Sequence, residues 1–342
     1  MTNLVSFPSG DVTYYFNSPV SALENYYGSR DIILVTDSNI AAHYPQLLSN
    51  YKHLIIPAGE HSKTPATIQN LAERLITLQV SRKSMLVGIG GGVVTDITGF
   101  LASVYMRGIA LGFIPTTLLG MVDASIGGKN GVNLGLHKNM LGTILQPEFI
   151  LFDTAFLTTL PDEEWSNGFA EIVKYACLFD RALFEELEQH NVDFYKQNTA
   201  ALAALVKTCA DWKNKTVIAD EHESGQRKLL NFGHTAAHAI ENLYEISHGK
   251  AVAIGMMIAA RLSEEINKTS PSITQRLAKM LHQYGLPTTY PIDVEKAMAL
   301  LKMDKKRNND SIDYILLEGL GNATITPLSF LTLEKAIASC AQ

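Results

Sequence analysis

Hydrophobic and polar positions divide the chain into two differently patterned halves. In the first, short β-rich runs alternate with segments of helical period. The runs DIILVTD at 31–37, HLIIP at 53–57, MLVGI at 85–89, ALGFIP at 110–115 and FILFD at 149–153 predict strands. Between them, 64–78 sets Ile68, Leu71, Leu75 and Leu78 on one helical face, and 93–105 predicts another helix. Strands separated by helices imply parallel pairing and a doubly wound α/β sheet. The pattern changes near Leu160-Pro161, where helical stretches take over: 167–179, 182–190, 199–220, 234–244, 250–266 and 273–284. The one exception is a late hairpin pairing 314–317 with 323–326. The expectation is two domains, a nucleotide-binding α/β domain over 1–160 and a mainly α-helical domain over 161–342, with a cleft between them.

A length of 342 residues suits two domains, and 46 % hydrophobic against 18 % charged residues can bury a large core. The net charge of −6 disfavours a polynucleotide partner, since no basic excess exists to neutralise its backbone. A small anionic substrate stays compatible with that sign, because local lysines and arginines can bind it. Cys177, Cys209 and Cys340 form no CxxC pair and no disulfide framework. The opening MTNLVSFPSGDVTYYF has no basic segment followed by an apolar run, and the apolar stretch at 86–114 is broken by Asp96 and Arg107. A cytoplasmic location away from membranes is the expectation.

Three constellations carry candidate chemistry. GIGGGVVTD at 88–96 leaves a strand and enters a helix, where glycines let a backbone approach a pyrophosphate and helix N–H groups attract anions. It is not a GxGxxG fingerprint, because Val93 takes the place of the third glycine, and a tight strand-to-helix turn explains it equally. Asp37 and Asn39 end an earlier strand, where they could reach a ribose or serve only as turn formers. His234 and His238 stand one helical turn apart, as in zinc-binding helices, though Thr235 replaces the glutamate of HExxH. His248 at a helix start and Glu171 on an otherwise apolar helix are further candidates. Two histidines and a glutamate would make an open metal site; the competing reading is a capping histidine, an exposed histidine and a salt-bridged glutamate. Cations close the set: Arg107, Lys129 in a small-residue loop, Lys138, Lys174, Lys213, Arg227 and the pair Lys305-Lys306 suit phosphate or carboxylate ligands. A solvated surface charge is the ordinary alternative for each, and Lys129, among glycines, departs from it most.

Seven motifs in order along the chain then resemble one family: PAGEHSK at 57–63, GGGVVTD at 90–96, IPTT at 114–117, VDASIGGK at 122–129, FAEIVK at 169–174, RKLLNFGH at 227–234 and SHGKAV at 247–252. The chain resembles 3-dehydroquinate synthases from Asp37 to about Lys306. The resemblance implies zinc (or cobalt) ligands at Glu171, His234 and His248. It implies NAD contacts at Asp37, Asn39, Glu60, Lys63, Gly91, Gly92, Asp96, Thr116, Thr117 and Lys138. Catalytic residues would be Lys129, Lys174, Lys213, Arg227, Asn231 and His238. Arg107, Asp123, Asn139 and one of Lys305 and Lys306 would bind substrate, with Arg107 reaching a partner subunit's phosphate site in a homodimer. In VNLGLHKN at 132–139, Leu134 and His137 depart from many relatives, while Lys138 and Asn139 are kept.

The implied reaction turns 3-deoxy-D-arabino-heptulosonate 7-phosphate into 3-dehydroquinate and phosphate, a step of the shikimate pathway to aromatic amino acids. A ring hydroxyl is oxidised by NAD, phosphate is eliminated, the hydride returns, and ring opening with aldol closure follows. A sugar-phosphate cyclase of other specificity is the nearest rival, against which Leu230 and His238 weigh. A metal-dependent polyol dehydrogenase would not need so many phosphate-binding groups. A non-catalytic nucleotide-binding protein would have no use for metal and phosphate sets together.

Overall fold

The computed structural model describes residues 1–135, 137–303, 307–308 and 311–340. Strands β1 (Thr2–Phe7) and β2 (Gly10–Phe16) form an antiparallel hairpin about Pro8-Ser9. Val5, Phe7, Val12, Tyr14 and Phe16 alternate inward along it. Four predicted strands follow as β3 (Ile32–Asp37), β4 (Lys52–Ile56), β5 (Met85–Gly90) and β6 (Ala110–Pro115). Next come a small antiparallel hairpin of β7 (Lys129–Leu134) and β8 (His137–Ile144), then β9 (Phe149–Phe152). Lys129 is therefore the first residue of a strand, a correction to its placement in a loop. The seven-stranded sheet runs β1-β2-β9-β6-β5-β3-β4, parallel except for β1 against β2. Every residue of β5 is buried, as a strand covered on both faces requires.

The chain runs from β3 to β4 on one side and returns to place β5 on the other. The winding thus reverses between β3 and β5, the position at which open α/β sheets bind ligands beyond their carboxyl ends. Helix Pro65–Thr77 buries Ile68, Leu71 and Leu75, in the predicted phase.

The chain forms two compact units, Met1–Pro161 with Thr199–Glu221, and Asp162–Asn198 with His222–Gln342. Helix Thr199–Ala219, grouped with the second half on sequence pattern, thus belongs to the first unit. Helical period reveals a buried face but not its partner. That partner includes β2, where the Tyr14 hydroxyl donates to Asn214 Oδ1 at 2.7 Å.

The second unit is built around helices Asp162–Phe179, His234–Tyr244 and His248–Ile266, the last buried on nearly every face. A three-stranded antiparallel sheet of β10 (Arg307–Asn308), β11 (Ser311–Gly319) and β12 (Asn322–Ser329) contains the predicted hairpin, with Tyr314 opposite Thr326 and Leu317 opposite Ala323. Among the described residues no helix is long and apolar enough to cross a membrane.

Candidate active site

In the first unit, the carboxyl ends of neighbouring β3, β5 and β6 bring Asp37, Gly91, Gly92, Thr116 and Thr117 to one edge of the sheet. Helix Gly92–Val104 begins there with no side-chain cap on its first N–H groups, which suits a phosphate or pyrophosphate. The glycines divide their labour. A Cβ on Gly90 would lie 2.4 Å from Val94 Cγ2, so packing alone requires that glycine. At Gly91 and Gly92 a Cβ would lie 3.0 Å from Thr117 and 3.1 Å from Ala124, a close but less severe approach. Asp37 Oδ1 accepts from the N–H groups of Asn39 and Ile40, at 2.9 and 3.0 Å, so it does cap a helix.

Two buried or half-buried ion pairs stiffen this edge. Lys63 Nζ lies 2.5 Å from Asp96 Oδ2, and Lys213 Nζ lies 2.8 Å from Asp123 Oδ1. Burial pushes the Asp96 carboxyl up, against the pull of Lys63. Asn133 ties β7 to this region, its amide donating to Glu60 Oε1 at 2.8 Å while its backbone N–H donates to the Lys63 carbonyl. Lys129, Lys138 and Asn139 are exposed on the β7–β8 hairpin. Asn139 has φ 52° and donates its backbone N–H to Asn133 Oδ1. Met106 and Arg107, with φ of 50° and 67°, are two successive non-glycine residues in the left-handed region, a strained arrangement of the kind that gathers at functional positions.

In the second unit, Glu171 lies on helix Asp162–Phe179 while His234 and His248 open the two later helices. One ligand atom from each lies within 4.8 Å of the others. Nε2 of His248 is 3.0 Å and Nε2 of His234 is 3.3 Å from Glu171 Oε1. Close helix contacts enforce this convergence. A Cβ on Gly255 would lie 2.0 Å from the Gly233 carbonyl oxygen, and one on Gly249 would lie 2.6 Å from Asn167 Cα. Asn167 Oδ1 also accepts from the Gly249 N–H at 3.0 Å. These contacts fix the starts of the helices that carry His234 and His248, and the sequence pattern did not single them out.

Electrostatics favour an anionic glutamate here. Burial alone would raise the Glu171 carboxyl, but Lys174 and His234 outweigh it and hold it well below the usual carboxylate range. Burial lowers His234, while Glu171 and Glu241 raise His248 to about 10 despite its burial. Lys174 forms an ion pair with Glu171 Oε2, yet that buried oxygen accepts no well-aligned hydrogen bond. Two imidazoles, one carboxylate and an underused buried oxygen fit a divalent cation of the zinc or cobalt type with one position left open.

His238 stands beside His234, ring centroids 5.8 Å apart, but is not one of the converging ligands. Lys174 and Arg227 are buried in the same unit, and the Asn231 amide donates to Glu223 Oε1 at 2.5 Å. Lys305 and Lys306 lie outside the described residues.

The family model for the 3-dehydroquinate synthase N-terminal part matches residues 53–167, and that for the C-terminal part matches 168–307. A 3-dehydroquinate synthase of Acidithiobacillus ferrooxidans is 41 % identical over 307 residues, covering 86 % of this chain and 84 % of that one. Among solved structures, 2-deoxy-scyllo-inosose synthase complexed with carbaglucose-6-phosphate, NAD+ and Co2+ superposes with a TM-score of 0.88 at 27 % identity, covering 99 % of this chain and 100 % of that one. The 2-epi-5-epi-valiolone synthase of Streptomyces hygroscopicus, with NAD+ and Zn2+ bound, gives 0.87 at 29 % identity, covering 98 % and 97 %.

Proposed function

Because the chain belongs to the 3-dehydroquinate synthase family, we propose that it converts 3-deoxy-D-arabino-heptulosonate 7-phosphate to 3-dehydroquinate and phosphate. It is thus a lyase of the shikimate pathway, with NAD and a divalent metal, zinc or cobalt, as its cofactors. When bound, they supply reversible hydride acceptance and polarisation of the substrate oxygen.

The protein's own groups divide the remaining work. Glu171, His234 and His248 hold the metal. The sheet edge at Asp37, Gly91, Gly92, Thr116 and Thr117 holds the dinucleotide, with Asn39, Glu60, Lys63, Asp96 and Lys138 around it. Lys129, Asn139 and His238 bind the substrate phosphate, joined by Arg107 from the partner of a homodimer. Lys174, Lys213, Arg227, Asn231 and Asp123 orient the substrate's hydroxyl and carboxylate groups. Their rigid pairings, such as Lys213 with Asp123, fix donor positions before substrate arrives. The protein works in the cytoplasm.

The observation that carries this reading is the convergence of Glu171, His234 and His248 from three helices onto one point. The test is phosphate release from the heptulosonate phosphate by purified protein. Release should require catalytic NAD, stop on chelation and return with zinc or cobalt. Release at the full rate from chelated protein, with metal content confirmed as nil, would overturn it.

A further inference from the structure

Each histidine of the metal site turns Nε2 toward Glu171, so its Nδ1 must be held from elsewhere. For His234 the holder is the backbone, with Nδ1 3.2 Å from the Phe232 carbonyl oxygen. For His248 it is a carboxylate, Glu241, whose Oε2 lies 3.9 Å from Nδ1. Glu241 stands two turns beyond His234 on helix His234–Tyr244, on the same face, and its side chain is only 12 % exposed.

We propose that Glu241 is a positioning residue for the metal site: its carboxylate, on the Nδ1 side of the His248 ring, holds that ring turned so that Nε2 faces the cation. The inference rests on the reading of Glu171, His234 and His248 as ligands. Two arguments support it. An anion on the Nδ1 side of a ligating imidazole orients the ring and raises its basicity as a ligand. At 3.9 Å the contact is too long for a hydrogen bond, so the carboxylate acts through its charge, by biasing ring rotation.

The second argument is a count of charge. Lys174 stands against the ligand Glu171, and the two formal charges cancel. A divalent cation then meets a site with no net negative charge from that pair. Glu241 brings a further carboxylate next to a ligand, without occupying a coordination position.

The experiment uses the full chain stripped of metal by chelation and titrated with Co2+. Cobalt is followed by its visible absorption and by competition with a chromophoric chelator. Wild type, Glu241→Ala, Glu241→Gln and His248→Ala are compared, each checked by circular dichroism for an intact fold. Glu241→Ala should weaken Co2+ binding by about 10–100-fold and alter the cobalt spectrum. Glu241→Gln should lie between, because it keeps the shape of the side chain but carries no charge. His248→Ala should lose the site. Wild-type affinity and spectrum in both Glu241 variants, with His248→Ala defective, would overturn the positioning role and leave the ligand assignment standing. A wild-type chain that binds no Co2+ would overturn both.

Discussion

Replacing Glu171 with glutamine in metal-free protein should cost more stability than replacing Lys174 with methionine, although the two form one ion pair. Glu171 is 0 % and Lys174 2 % exposed, so neither charge can turn to water. Glu171→Gln removes the carboxylate that faces the buried Lys174 ammonium and leaves His248 without its nearest anion. Breaking a buried pair in this way costs about 3–5 kcal/mol. Lys174→Met leaves the Glu171 carboxylate with both histidines at 3.0 and 3.3 Å. What is lost is one charged contact, about 1.5–3 kcal/mol. With an unfolding entropy of about 2.1 cal/mol/K per residue, the 342 residues give ~0.7 kcal/mol per degree. The expected drops in Tm are then about 4–7 °C for Glu171→Gln and about 2–4 °C for Lys174→Met. The double variant, which removes both members of the pair at once, should lose less stability than the sum of the two single losses. Thermal denaturation at neutral pH in excess chelator, followed by circular dichroism, reads all three. Equal losses, or a larger loss for Lys174→Met, would refute the claim that the histidines share the carboxylate's charge.

Three further outcomes are expected. One equivalent of NAD per subunit should sustain many turnovers, and an absorbance rise from NADH stoichiometric with product would instead mark a dehydrogenase. Gly99→Ala would place a Cβ 1.8 Å from Asn130 Oδ1 and displace an amide that donates to the Gly128 and Leu145 carbonyls; a loss of about 1–3 kcal/mol in urea denaturation should come with a raised KM for the sugar phosphate, because that turn leads into Lys129. Glu188 takes two hydrogen bonds from Arg276, at 2.7 and 2.6 Å, which hold its carboxyl below the ordinary value. The stability it confers is therefore present above the unfolded pKa, about 4.3, and is lost as pH falls through the lower folded value; Glu188→Gln should cost ~1 kcal/mol at pH 7, a figure reduced for partial exposure, and almost nothing near pH 2.

How far these features could be read from sequence depended on whether their signal was local. The parallel strands β3, β5, β6 and β9 announce themselves as apolar runs because both faces are covered. The β1–β2 hairpin, absent from the predicted strands, carries an equally local alternating signal, Val5, Phe7, Val12, Tyr14 and Phe16 about Pro8-Ser9-Gly10. The β7–β8 hairpin gives no such signal, since its glycines and polar residues leave β8 exposed along nearly its whole length. Glu171 is conspicuous as a carboxylate on an apolar helix. Its meeting with His234 and His248 depends on backbone contacts at Gly233, Gly249 and Gly255, which no spacing along the chain encodes. Gly90 shows the converse: a residue that looks like nucleotide chemistry is demanded by Val94 alone.

Helix Thr199–Ala219 bears on what a gene fragment could encode. The chain leaves its first unit after Pro161, comes back for Thr199–Glu221, and departs again. A truncation at the apparent halfway point would separate Tyr14 from Asn214, Asp123 from Lys213, and Ser9 and Gln146 from Glu221. A buried tyrosine hydroxyl and the Asp123 carboxylate would lose these contacts together. The division of the family models at 167 and 168 is therefore not a seam along which the protein could be cut and its halves inherited, shuffled or expressed apart. Nucleotide-binding and metal-binding parts are laced through one reading frame, and recombination that preserved one half would have to carry a helix of the other.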